Sequence, residues 1–267
     1  WPPGRQGGPP QYKGLSVVYM TCHNGKRGIY LDLKSPEGKE AALSLLKKAD
    51  VFAENMSYGV VQRLGLGYEE ISKISPNIIY GNFPGWGADG PYVNRTSGDT
   101  AAQVFSGVVS ITGRKGGEPE LVRWYGLHDL NASSYITMLL LTGLLYRERA
   151  GKGLRMLNPQ VGASMAIQTS RIAEYFATGT NPEPMGSAIS DLVPHQAFQT
   201  KDNFVAIGIN TQQQWEEFCG AIEMSELARD TKFANNADRI ANRDSLISLL
   251  NQVFAGKNTK EWIRILE

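Results

Sequence analysis

The sequence predicts an α/β fold, with a Rossmann-like large domain built on a parallel sheet and a smaller α+β domain after it. Short apolar runs alternate with amphipathic helical stretches through the first two thirds of the chain, which is typical of a parallel sheet. A segment rich in proline and glycine at residues 177–196 then precedes another strand and several helices. We therefore expect a large domain at residues 1–180 and a smaller one at residues 181–267.

Local signals place the elements of the first half. Ser35 and Pro36 are typical of a helix start, because serine caps the N-terminus and proline fits the first helical position. The buried strands are recognised by short apolar runs between turn residues. The predicted elements are strands at 16–21 and 27–33, a helix from Ser35, a strand at 51–53, helices at 58–64 and 68–74, and a strand at 77–83.

The second half contains the longest apolar helix of the chain, predicted at residues 132–149. Its apolar run, residues 135–146, is too short to span a bilayer and indicates a buried helix. The other predicted elements are helices at 96–111 and 160–176, strands at 154–158 and 204–209, and helices at 212–222, 244–254 and 259–267. Because the chain opens on Trp1-Pro2-Pro3-Gly4 and closes inside a helical pattern, we expect further parts of both domains beyond its ends.

Composition excludes several classes of partner. The 267 residues are 42% hydrophobic and 20% charged, with a net charge of +1, so nothing favours nucleic acid or an anionic membrane. Cys22 and Cys219 form no paired motif, and we expect a reducing cytoplasmic setting. The histidines have no metal-ligand spacing, so no metal is expected.

Asp129 is the strongest candidate for a chemical role, because it precedes the long apolar helix. Unpaired N–H groups and the positive end of the helix dipole favour an ionised, oriented carboxylate there. Such a group suits a carboxylate nucleophile. On local chemistry alone a helix N-cap is the more ordinary explanation of Asp129, and the rest of the chain favours the nucleophile instead.

An ordered set of motifs carries a family resemblance over nearly the whole chain. Before Asp129 come glycine-rich and acidic motifs, and after it comes a basic turn with two glycines. The motifs are Asn24-Gly25-Lys26-Arg27, Ala49-Asp50-Val51-Phe52-Ala53-Glu54-Asn55, Arg63-Leu64-Gly65-Leu66-Gly67, Gly85-Trp86-Gly87, Gly90-Pro91-Tyr92, Asp129 and Arg147 through Gly153, with Phe198 through Asp202 in the smaller region. Together they resemble the family III CoA-transferases, the group of formyl-CoA, carnitine and benzylsuccinate CoA-transferases.

The resemblance implies a role for each matching residue. Asp129 takes the position of the catalytic aspartate, which passes through an aspartyl anhydride and an aspartyl-CoA thioester. Coenzyme A is implied as the carrier, with an acyl-CoA and a carboxylic acid as substrates. The implied CoA contacts are Asn55, Met56, Arg63, Leu64 and Arg95. The family also implies an interlocked dimer, either a homodimer or a heterodimer with a related subunit.

Two further groups are candidates near the nucleophile. The aromatic residues Trp86, Trp124 and Tyr125, with Gly87, are candidate substrate contacts because they lie in the glycine loop or close to Asp129 in sequence. Backbone amides of glycines are candidate donors to an oxyanion, since glycine allows close approach. The glycines considered are Gly85, Gly87 and Gly126.

Two other functions stay open at this point. An acyl-CoA racemase on the same fold would carry a proton-transfer histidine at the position of Gly98, and glycine cannot move a proton. A non-catalytic or structural subunit of a heteromeric CoA-transferase is favoured by the altered segment Met56-Ser57-Tyr58 and opposed by the intact Asp129.

Overall fold

A computed structural model describes residues 10–122 and 126–267 of the chain. It divides into two compact units. The first consists of Trp1–Glu54, Gly59–Gly81 and Thr142–Met156, and the second of Asn55–Tyr58, Asn82–Leu141 and Leu157–Glu267. This mixed α/β architecture with a parallel sheet confirms the predicted α/β class, whereas the Rossmann-like large domain and the smaller α+β domain stay predictions.

The elements run in the following order. The first half contains β1 (Gln11–Tyr12), β2 (Leu15–Ser16), α1 (Val17–Cys22), α2 (Pro36–Leu46), β3 (Val51–Glu54), α3 (Val60–Arg63), α4 (Tyr68–Ile74), β4 (Ile79–Asn82), α5 (Asp99–Ser106) and α6 (Val108–Ile111). The second half contains α7 (Leu127–Ala150), β5 (Leu154–Leu157), α8 (Gln160–Ala166), α9 (Thr169–Thr178), β6 (His195–Gln199), β7 (Phe204–Gly208), α10 (Gln212–Ala221), α11 (Asn236–Ala241), α12 (Arg243–Phe254) and α13 (Thr259–Leu266).

The parallel sheet has the strand order β3-β4-β5. Its strands start side by side, because Ile79 N–H donates to Asp50 O at 3.0 Å and Gly153 N–H donates to Pro76 O at 3.2 Å. Glycine is required at position 153, since a Cβ there would lie 2.2 Å from the carbonyl oxygen of Ile78. The middle strand is buried on both faces, as expected for a parallel sheet.

The start of α2 confirms the predicted cap, because the Ser35 side chain accepts the N–H of Gly38 at 3.0 Å. The strand prediction for residues 16–21 is wrong. This stretch, rich in β-branched residues, forms α1 with only Ser16 in a strand, and Thr21 Oγ1 donates back to Val18 O at 2.9 Å. Residues 27–33 form no strand either.

Helices in the second unit begin and end at different residues from those predicted. The helix predicted at 96–111 is interrupted at Gly107, whose φ of 86° is left-handed, giving α5 and α6. The stretch 160–176 is also divided, into α8 and α9. The long helix α7 begins at Leu127 rather than Ala132, so Asp129 lies in its first turn.

The C-terminal region has its own hydrophobic core. The hairpin of β6 and β7 is antiparallel, with His195 opposite Gly208 and Gln199 opposite Phe204. Large buried side chains from this hairpin and from α10, α12 and α13 form the cluster. Its fully buried members include Phe198, Trp215, Leu246, Leu250, Phe254 and Trp262. The proposed domain boundary near residue 180 stays a prediction.

Across the described residues, none of the helices combines the length and apolar character needed to span a membrane.

Candidate functional site

The backbone around Asp129 is held by a second carboxylate, that of Asp99. Asp99 Oδ1 accepts the N–H groups of His128 and Asp129, at 2.7 and 3.3 Å. These are two of the unpaired amides at the start of α7. The explanation of Asp129 as the N-cap is therefore wrong, because Asp99 fills that role and leaves the Asp129 side chain free for other contacts.

Asp99 is itself fixed by a buried glutamine one turn further along α5. The Gln103 side-chain amide donates to Asp99 Oδ2 at 2.7 Å, and its carbonyl oxygen accepts Val122 N–H at 2.9 Å. Gln103 is 3% exposed, so these bonds are sheltered from water. The position of the Asp129 helix turn thus depends on α5.

The Asp129 carboxyl has a partner from the start of α8. The Gln160 side-chain amide donates through Nε2 to Asp129 Oδ1. Ser97 Oγ donates to the other end of that amide, Gln160 Oε1, at 2.8 Å. A carboxylate only accepts hydrogen bonds, so the amide nitrogen must face Asp129. Gln160, held at the far end of its amide by Ser97, therefore aims one N–H group at a carboxyl oxygen of Asp129.

The surroundings change the acidity of this carboxyl and its neighbour. Partial removal from water, followed by the like charge of Asp99, raises the pKa of Asp129, against the opposing effects of Gln160 and His128. The adjacent His128 is fully buried, and burial lowers the pKa of its ring against the opposing charges of Asp99 and Asp129. The sequence had suggested that the helix N-terminus favours the ionised form of Asp129. The raised pKa runs against that suggestion, because burial and the charge of Asp99 have the larger effect.

Asp129 opens onto a cavity of about 400 Å³ in the second unit. Ala132, Ser133 and Ile136 line it as well, so one face of α7 forms a wall. Other lining residues come from the segment after β3, the glycine loop, the loop before α5, the segment after β5 and the start of α8. They include Asn55, Ser57, Tyr58, Gly85, Trp86, Arg95, Ser97, Gly98, Asn158 and Gln160. The volume suits a small acyl group.

Trp86, which lines the cavity, packs in an aromatic cluster with Tyr92 and Phe105. Their ring centroids are 4.9 to 5.3 Å apart in each pair. Trp86 Nε1 donates to Thr96 O at 3.2 Å, which fixes the indole. The guanidinium carbon of Arg95 lies 4.5 Å from the Tyr92 ring centroid, placing a cation at the cavity wall.

The structure brings some predicted site residues together and leaves others apart. Asn55, Trp86 and Arg95 line the same cavity as Asp129. Met56, the residue after Asn55, does not line it. Arg63 and Leu64 belong to the first unit, at the end of α3, and their CoA contacts stay predictions. Trp124 and Tyr125 lie outside the described residues.

The candidate glycines differ in what they require. Gly85 lies against Ser97, and a Cβ there would be 1.9 Å from the serine Oγ. Gly87 has a φ of 99°, a left-handed conformation that favours glycine. Gly126 precedes α7 with a φ of 64°, and a Cβ there would lie 3.4 Å from Asp129 Oδ2. Close packing or backbone conformation thus accounts for all three, and their role as oxyanion donors stays a prediction.

Three residues that contact the Asp129 turn or its supports were not predicted from the sequence: Ser97, Asp99 and Gln160. A signal existed for Gln160, because it follows a parallel strand at the carboxyl end, where α/β folds place their sites. No local pattern marks Ser97 as its partner, 63 residues away.

Within residues 10–122 and 126–267, no group of three or more His, Cys, Asp or Glu side chains is arranged to hold a metal ion.

Comparison with known proteins gives concordant matches. The pattern of CoA-transferase family III matches residues 2–267. The chain is 34% identical over 264 residues to succinyl-CoA:glutarate CoA-transferase of Mus musculus, covering 98% of this chain and 60% of that protein. It is 32% identical over 257 residues to acetyl-CoA:oxalate CoA-transferase of Acetobacter aceti, covering 96% of this chain and 66% of that protein.

A solved structure shares the fold. The crystal structure of a CAIB/BAIF family protein from Brucella suis matches with a TM-score of 0.82 and 28% identity, covering 98% of this chain and 70% of that one. The chain spans about three fifths of the length of the mouse relative.

Proposed function

Because the chain belongs to CoA-transferase family III, we propose that the protein moves coenzyme A from an acyl-CoA donor to a carboxylic acid acceptor. The observation that carries the proposal is the Asp129 carboxyl, held by Gln160 and opening onto a cavity of acyl size. The names of the two relatives described above, both CoA-transferases, support it.

Asp129 acts as the nucleophile in this proposal. Its free oxygen attacks the thioester carbonyl, and the CoA thiolate leaves from an acyl-aspartyl anhydride. The thiolate then attacks the aspartyl carbonyl, giving an aspartyl-CoA thioester and the released acid. The acceptor acid repeats both exchanges in reverse. Covalent catalysis suits this exchange because each step swaps bonds of similar reactivity.

We propose small dicarboxylic acids as the acceptor class. The matched relatives include enzymes named for glutarate, oxalate and mesaconate, each of which has a second carboxylate. Arg95 on the cavity wall offers a cation to such a group, since no salt bridge to Arg95 is found among the described residues. In this proposal Arg95 binds the acceptor acid, and not CoA as the family resemblance implied.

Coenzyme A would be contacted by Asn55 at the cavity, with Met56, Arg63 and Leu64 as the further contacts that the family resemblance implies. Arg63 ends α3 and its guanidinium folds back toward Gly59, where a Cβ would lie 3.0 Å from Nη1. A guanidinium suits the phosphates of CoA because it donates two parallel bonds. The cytoplasmic setting stays a prediction.

The two other functions are less well supported. A racemase needs a second proton-transfer group at the cavity, and Gly98 lines the wall where that histidine would stand. His128 does not replace it, because its ring is fully buried. A non-catalytic subunit would have no use for the Gln160 bond to the Asp129 carboxyl or for the Asp99 bonds to the backbone beside it.

The test is the variant Asp129→Asn, assayed with succinyl-CoA and glutarate. We expect kcat to fall at least about 10³-fold, since an amide is a poor nucleophile. The matched control is Asp244→Asn, which removes an exposed carboxylate paired with Lys115 and should leave turnover unchanged. Full turnover by folded Asp129→Asn would refute the proposed nucleophile.

A further inference from the structure

Gln160 does more than orient the Asp129 carboxyl, because its amide contacts an oxygen atom that takes part in the proposed reaction. Its Nε2 donates to Asp129 Oδ1, so Oδ2 is the oxygen left to attack the substrate. After that attack Oδ1 becomes the carbonyl oxygen of the aspartyl anhydride. The Gln160 amide then faces the atom on which charge develops when the aspartyl carbonyl is attacked in turn.

The Gln160 amide is built into a rigid setting. Its backbone N–H donates to Pro84 O at 3.0 Å, and its Oε1 accepts Ser97 Oγ at 2.8 Å. Ser97 packs against Gly85 so closely that no side chain fits there. Farther along α8, Ala163 O accepts the Asn131 amide of α7 at 2.7 Å. Donor and carboxyl are thus fixed on helices bonded to each other, which is the preorganisation that oxyanion stabilisation needs.

We propose that Gln160 stabilises the oxyanion formed on Asp129 itself, and that Ser97 is the residue that positions Gln160. The inference rests on the proposed CoA transfer. As the CoA thiolate attacks, the S–Cγ bond forms and the carbonyl electron pair moves onto Oδ1. The pair then returns, the Cγ–Oδ2 bond breaks, and the acid leaves as a carboxylate. No proton is transferred.

The charge on Asp129 Oδ1 decides which step of the transfer the Gln160 amide accelerates. In the resting carboxylate, Oδ1 carries about half a charge, and it loses charge as Oδ2 attacks the thioester. In the anhydride Oδ1 is a neutral carbonyl oxygen, and in the tetrahedral state it carries nearly a full charge. A fixed donor therefore strengthens its bond most when the thiolate attacks the aspartyl carbonyl. Gln160 accelerates the thioester-forming step and not the first attack.

The test compares transfer with hydrolysis, using succinyl-CoA and glutarate. Gln160→Met removes the donor and keeps the side-chain length. We expect CoA transfer to fall about 10²- to 10³-fold, as for other oxyanion donors. The longer-lived anhydride is open to water, so the ratio of succinyl-CoA hydrolysis to transfer should rise. A loss of structure alone would lower both rates together and leave that ratio unchanged.

Two further variants complete the experiment. Ser97→Ala keeps Gln160 and frees its far end, so we expect about a tenfold loss of transfer with the same direction of change in the ratio; it also serves as the test if Gln160→Met does not fold. Gln213→Met, an exposed glutamine that pairs with Glu217 at 2.8 Å, is the matched control and should leave both rates unchanged.

The outcomes separate the two proposals. If Asp129→Asn abolishes both hydrolysis and transfer while Gln160→Met and Ser97→Ala keep the normal ratio, the role of Gln160 is wrong and the nucleophile stands. If Asp129→Asn still transfers CoA, the proposed function itself is wrong.

Discussion

At the scale of single residues, Asp129 is a carboxyl under opposing influences. Partial desolvation and the neighbouring charge of Asp99 make it more basic, whereas the Gln160 bond makes it less so. A more basic carboxylate attacks a thioester more readily, provided that it remains ionised at the working pH. The same Asp99 that fixes the first turn of α7 therefore also affects the reactivity of Asp129.

The raised pKa of Asp129 predicts the pH dependence of turnover. Only the carboxylate attacks, so kcat/KM falls as acid protonates it, and a raised pKa starts that fall at a higher pH than for an ordinary aspartate. Asp99→Asn keeps an acceptor for the helix amides and removes the like charge. We expect its acidic limb to move to lower pH in a kcat/KM profile.

The control for this profile is Asp244→Asn, which removes a remote surface charge and should leave the limb in place. An acidic limb that stays unchanged or moves to higher pH in Asp99→Asn would contradict the assigned influence of Asp99.

At the scale of elements, sequence patterns located the segments that local chemistry determines. The Ser35–Pro36 start of α2 and the strands β3, β4 and β5 were predicted to within one or two residues. The strand prediction for residues 16–21 was wrong, because β-branched residues favour a strand only where a neighbouring strand pairs with it along its length.

The support of Asp129 was beyond the reach of local patterns. Asp99 caps a helix that begins 28 residues later, and Ser97 reaches Gln160 across 63 residues. Such contacts are fixed by packing between α5, α7 and α8 and leave no periodic trace in the sequence. Asp129 was recognised as the candidate nucleophile because its position at the helix start and the motifs that follow it are local features of the sequence.

At the scale of the whole molecule, the exposed face of α7 supports the proposed dimer. Leu130, Leu141 and Leu145 are 57%, 61% and 53% exposed and lie on one side of the helix, so they form one apolar stripe. A lone chain would leave this stripe in water. We propose that a second copy or a related subunit covers it, as the family's interlocked dimer implies.

Leu141→Glu tests that proposal, because a charge at the centre of the stripe opposes its burial. We expect sedimentation analysis to show a shift from dimer toward monomer. The matched control is Leu45→Glu, on a leucine of α2 that is also exposed, 53% by area, and should stay dimeric. A Leu141→Glu protein that remains as dimeric as the control would contradict the role of the stripe.

The central claim is that Asp129 becomes covalently acylated. The most direct measurement is mass spectrometry of protein incubated with succinyl-CoA, trapped with hydroxylamine or borohydride, and digested. We expect a modified residue in the peptide that contains Asp129, and no modification of the same peptide in Asp129→Asn. A label confined to another peptide, or turnover with Asp129 unlabelled throughout, would contradict it.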